Sequence, residues 1–71
     1  MTWNYRVLKH VTKGGSWYQI HEVYYNKDDG SISSCSEDAP APFGETVEEL
    51  QEVVELMKAA FNKPIIPYED I

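Results

Sequence analysis

Trp3, Tyr5 and Val7 alternate with Asn4 and Arg6, a period of two that predicts a strand over residues 3–10. Leu8 breaks the alternation, so the opposite face of that strand is not purely polar. Gly14 and Gly15 then mark a reversal. Residues 16–25 carry the strongest strand signal, because aromatic and β-branched side chains dominate them. Tyr18, Ile20, Glu22 and Tyr24 fall on one face, and Trp17, Gln19, His21, Val23 and Tyr25 on the other. Both faces are half apolar, which predicts a central strand covered at least in part on both sides.

Asn26 to Gly30 reads as a hairpin loop, with Gly30 supplying the positive φ that such a connection needs. A third strand is expected over residues 31–37, where four serines weaken the intrinsic preference. Pro40 and Pro42 bar strand pairing in the loop that follows. A helix is expected over residues 46–61. Thr46 and Glu49 stand at capping-box spacing, and Glu48 and Glu49 favour the positive end of the helix dipole. Val47, Leu50, Val53, Val54, Met57, Ala60 and Phe61 form one broad apolar stripe, Glu48, Glu52 and Glu55 line the opposite side, and Leu56 lies off the stripe. Asn62 is the expected left-handed cap, and Pro64 stops the helix. The tail, residues 64–71, is expected to be extended and could add a fourth edge strand or drape over the core.

This order predicts a single α+β domain, residues 1–71. A three-stranded antiparallel meander packs on one C-terminal amphipathic helix, with an extended C-terminal tail. One helix cannot cover both faces of so aromatic a sheet. The tail, a second copy of the chain or a ligand must meet the remainder, and a homodimer is the expected outcome.

Charge narrows the functions. Residues 1–30 carry four basic and three acidic side chains, and residues 31–71 carry two basic and nine acidic, so the net charge of -6 is concentrated in the second half. With no basic cluster to neutralise phosphates, no nucleic-acid partner is expected. No apolar run reaches the ~20 residues of a membrane span, so no membrane role is expected and a cytoplasmic location is the default. The acidic half reads either as attraction to a basic protein surface or as solubility.

Catalytic and metal-binding constellations are sparse. His21 and Glu22 look like a base and its orienting carboxylate, but neighbours on a strand point to opposite faces and cannot form a dyad. A partner for His21 would come from another strand, with His10, Cys35 and Ser33 as candidates. His10, His21 and Cys35 show no metal-ligand spacing, and the single cysteine has no neighbouring cation to activate it. No cofactor or metal is therefore expected.

Trp17 to Tyr25, Asp28-Asp29-Gly30, Ser36 to Pro40, Pro42 and Gly44 to Leu50 together resemble a group of short bacterial proteins of unknown function. More distantly, the strand-strand-strand-helix order, with Gly44 to Leu50 opening the helix, is similar to the HicB-like antitoxin domain. That resemblance implies binding and neutralising a small basic RNA-cleaving toxin as a dimer or higher oligomer. The sequence thus leads to the expectation of a non-enzymatic protein-interaction or regulatory module. Its candidate contact residues are Trp17, His21, Val23 and Tyr25 on the sheet and Glu48, Glu52, Glu55 and Leu56 on the helix. The alternative is a small-molecule binder or enzyme with a pocket around His21, Glu22 and the tyrosines.

Overall fold

The computed structural model describes residues 2–71. Three antiparallel strands, β1 (Trp3–Thr12), β2 (Gly15–Tyr25) and β3 (Ile32–Cys35), precede one α-helix, α1 (Val47–Lys58). A 3-10 turn, Ala59–Asn62, extends the helix, and the tail adds β4 (Ile66–Pro67) and a second 3-10 turn, Tyr68–Asp70. The four strands form one curled sheet in the order β3-β2-β1-β4, with β4 parallel to β1. The architecture is α+β.

Thr12 pairs with Gly15, so Lys13 and Gly14 close a two-residue hairpin, and Gly15 takes a φ of 144° that few side chains tolerate. Gly30 takes a φ of 72° in the second hairpin, where Asn26 N–H bonds Ser31 O and Gly30 N–H bonds Asn26 O. The third strand is shorter than expected. It covers four residues, and its register slips beside Tyr24 and Tyr25. Serines there offer no cross-strand packing to extend the ladder, although Ser36 N–H still bonds Glu22 O.

Cross-strand partners share a face. Trp3, Tyr5, Val7 and Lys9 therefore stand with Tyr24, Glu22, Ile20 and Tyr18 on the first face. Asn4, Arg6, Leu8 and His10 stand with Val23, His21, Gln19 and Trp17 on the second. The end of the helix covers the first face, where Trp3 and Tyr5 share a cleft with Leu56, Ala59 and Ala60, and Val7, Tyr18 and Ile20 share one with Phe61. The tail covers the second, where Leu8, Val23 and Ile66 form the buried cluster and Tyr25, Cys35 and Ile71 pack around it.

The helix starts at the expected cap and departs from expectation at its other end. Thr46 caps it, its Oγ1 accepting from Glu49 N–H at 3.1 Å, while the Glu49 carboxylate accepts from Glu45 N–H at 3.0 Å. At the other end Asn62 is not a left-handed cap, since no non-glycine residue among those described has positive φ. The chain tightens into the 3-10 turn instead, and Lys63 N–H bonds Ala60 O at 3.2 Å. The apolar stripe is also only partly used. Met57 and Ala60 are buried and Val53 half-buried, whereas Val47, Leu50, Val54 and Phe61 stay 76%, 37%, 43% and 69% exposed. The helix touches the sheet through its last turns and projects beyond it.

Candidate functional site

Two groups of candidate residues emerge, one on each side of the molecule. On the second sheet face, register sets His10 opposite Trp17 and His21 opposite Arg6. His10 stacks on Trp17 with ring centroids 5.1 Å apart and planes 4° from parallel. Tyr68, delivered by the tail, stacks on His10 at 4.5 Å. His21 lies beneath, 1% exposed, with its Nε2 3.0 Å from Nε2 of His10.

The tautomers follow from the partners. His21 Nδ1 lies 3.0 Å from the Ser36 carbonyl oxygen and 3.2 Å from Ser36 Oγ. A carbonyl only accepts, so Nδ1 of His21 carries a proton. Neutral His21 then presents a lone pair at Nε2, and His10 donates its Nε2–H to it. His10 has its pKa lowered by burial first and by the neighbouring His21 second.

Several residues expected at this site have other roles. Val23 is wholly buried in the cluster with Leu8 and Ile66. His21 is likewise enclosed. Tyr25 is half-buried, its hydroxyl donating to Asn4 Oδ1 at 2.6 Å and accepting from Arg6 Nη1 at 3.1 Å. Trp17 remains accessible, and its indole N–H donates to Gln19 Oε1. Of the three partners considered for His21, His10 makes the contact. Ser36 and Tyr68 complete the group, and only their delivery by β3 and the tail reveals them.

Glu22 lies on the opposite face from His21. There Tyr24 OH donates to Glu22 Oε1 at 2.6 Å. Burial raises the Cys35 thiol pKa, the opposite of what a nucleophile requires. Among the described residues no three His, Cys, Asp or Glu side chains gather into a metal-binding group.

The second group lies on α1. Glu48, Glu52, Glu55 and Leu56 are exposed together and, with Gln51, line one open cleft. Taking 100° per residue along α1, Val53 and Met57 stand on the covered side of its apolar arc. Leu50, Val54 and Val47 occupy the uncovered side, bordered by Lys58 and Gln51, and Phe61 lies just past the helix end, exposed and beside the first sheet face. The glutamates lie beyond that border.

Comparisons with protein-family models, with curated proteins and with solved structures return no match. Among the described residues no helix is long and apolar enough to cross a membrane.

Proposed function

We propose that the chain is a non-enzymatic protein-interaction module that works as a homodimer, with the uncovered half of the α1 stripe as the face where two copies meet. The observation that carries this reading is the exposure of Val47, Leu50 and Val54 along α1, with Phe61 exposed just past its end. The size of the surface supports a second copy as the occupant. A compact chain of this mass exposes about 4,500 Å², whereas this one exposes 5364 Å². The excess, roughly 800 Å², matches one partner's share of a standard stable interface. The radius of gyration of 13.1 Å likewise exceeds the ~11 Å of a compact 71-residue domain.

An antiparallel two-fold arrangement suits the row. Val54 stands midway between Val47 and Phe61, so an axis there sets Val47 of one copy against Phe61 of the other. Antiparallel helices also oppose their dipoles favourably. The rows of Glu48, Glu52 and Glu55 then point away from the contact and avoid mutual repulsion. They form an acidic surface fit for a basic protein partner, which is the role that the HicB-like resemblance implies. The alternative pocket around His21 and Glu22 has less support, because the two groups face opposite sides of the sheet.

Sedimentation at micromolar concentration tests the reading. The expected mass is twice 8.2 kDa, falling to the single-chain value for Val54→Glu with the circular dichroism unchanged. In a Cys35→Ser background, Val54→Cys is expected to cross-link into a covalent dimer, and Glu52→Cys is not. A wild-type chain that sediments as a monomer sinks the proposal.

A further inference from the structure

We propose that His10 and His21 form a proton-counting latch on the C-terminal tail: the tail stays docked while the pair holds at most one added proton and lets go when both rings are charged. The geometry permits the first proton. It enters at Nδ1 of His10 and leaves the Nε2–H of His10 bonded to the lone pair of His21, and the resulting imidazolium lies between the faces of Trp17 and Tyr68. The second proton has one place to go, Nε2 of His21, since Nδ1 already donates to Ser36. Two N–H groups would then confront each other at the 3.0 Å that separates the nitrogens.

Among the described residues no carboxylate hydrogen-bonds either histidine ring. From β1, His21 faces His10 and its cross-strand partner Arg6, both potential cations. From β3 and the residue after it come Cys35 and the neutral Ser36. The tail contributes Tyr68, whose ring lies 6.1 Å from that of His21, and next to it in the same turn the carboxylates of Glu69 and Asp70. Glu22, the adjacent carboxylate on β2, is on the far face. Relief comes by His10 swinging to solvent, which removes the ring on which Tyr68 stacks. The remaining attachments of the tail are few: a two-residue ladder at Ile66–Pro67, the Arg6 bond to Pro64, and the contacts of Ile66 and Ile71.

The sign agrees with the lowered pKa of His10. A base whose folded pKa is depressed binds fewer protons folded than unfolded, so docking is strongest above the ordinary histidine range, about 6.5, and weakens as pH falls through it.

Amide hydrogen exchange, corrected for the intrinsic effect of pH, tests this between neutral pH and about two units below the ordinary histidine value. In the wild type, residues 65–71 are expected to lose protection by about tenfold or more while β1 and β2 keep theirs, the signature of local opening. His10→Phe keeps a ring between Trp17 and Tyr68 without a proton site, and His10→Gln keeps a polar group that does not titrate. Either variant, once folded, is expected to hold the tail at both pH values. Unchanged tail protection in the wild type, simultaneous loss across tail and sheet, or an acid response in both variants equal to the wild type's would each overturn the latch.

Discussion

The guanidinium of Arg6 donates through Nη2 to the carbonyl oxygen of Pro64 at 2.8 Å, joining β1 to the start of the tail across 58 positions of sequence. The same side chain donates through Nη1 to Tyr25 OH. Arg6 thereby ties the sheet to the segment that covers its second face. Replacing it with Met keeps much of the aliphatic stem and removes both bonds. The expected loss is about 1–2 kcal/mol, since one bond is exposed and the other partly buried. For a domain of this size that lowers the thermal midpoint by roughly 4–16 °C. Hydrogen exchange at Ile66 should accelerate more than exchange at Val23, because the tail is held from one side and the strand from both.

Tyr24 and Tyr5 both stand near the Glu22 carboxylate, and both have raised pKa values. For Tyr24 the hydrogen bond to Glu22 is the main cause; for Tyr5 burial leads and the Glu22 charge follows. A tyrosine whose folded pKa is raised contributes stability that is fully present below the unfolded value, about 10, and is lost as pH rises through the folded one. Ultraviolet titration of the native chain should therefore find Tyr5 and Tyr24 ionising above the ordinary tyrosine range. Glu22→Gln should return Tyr24 toward the ordinary value. Ionisation of Tyr24 at the same pH in the wild type and in Glu22→Gln would show that the Glu22 contact does not persist in solution.

The strands were legible because alternation is a property of a strand itself. Trp3, Tyr5 and Val7 sort from Asn4 and Arg6 by residue type alone, and β2 divides into the two faces its pattern implies. The capping box at Thr46 was legible for the same reason. What lies against each face was not. The stripe from Val47 to Phe61 states that a surface is apolar and is silent on whether a sheet or another chain covers it. His10 and His21 were harder still. Straight cross-strand register pairs them with Trp17 and Arg6, so their diagonal contact depends on the curl of the sheet. Tyr68 reaches them only because two residues of the tail pair in parallel with Leu8 and Lys9.

Thr46 and Gly44 fix the start of α1 by different means. Thr46 satisfies the Glu49 amide, so Thr46→Ala should cost about 1 kcal/mol of helix stability. Val47 to Leu50 pack on little, so that loss should appear as fraying of the first turn, read as faster exchange at the Leu50 amide, with a small change in the global midpoint. Gly44 is a steric requirement. A Cβ there would collide with the backbone of Glu49 and Leu50, which has no flexible end to move aside. Gly44→Ala should therefore cost about 1–3 kcal/mol by displacing the loop from the helix. A Gly44→Ala chain as stable as the wild type would mean that the loop and the first turn are not in contact.

Met57 and Val54 lie one turn apart on the same apolar stripe, yet only Met57 is buried against the sheet. Truncating Met57 removes contacts within one chain, so Met57→Ala should destabilise by about 2–5 kcal/mol at every protein concentration. Val54 has no comparable packing inside the chain. Val54→Ala should shift the unfolding midpoint of dilute, single chains by less than about 0.5 kcal/mol in free-energy terms. At high concentration the difference from wild type should widen, because association stabilises by mass action whatever it binds. Denaturant titrations of both variants across a wide dilution series separate these behaviours. A Val54→Ala loss as large as that of Met57→Ala and indifferent to dilution would place Val54 in the core of a single chain and remove the row on which self-association rests.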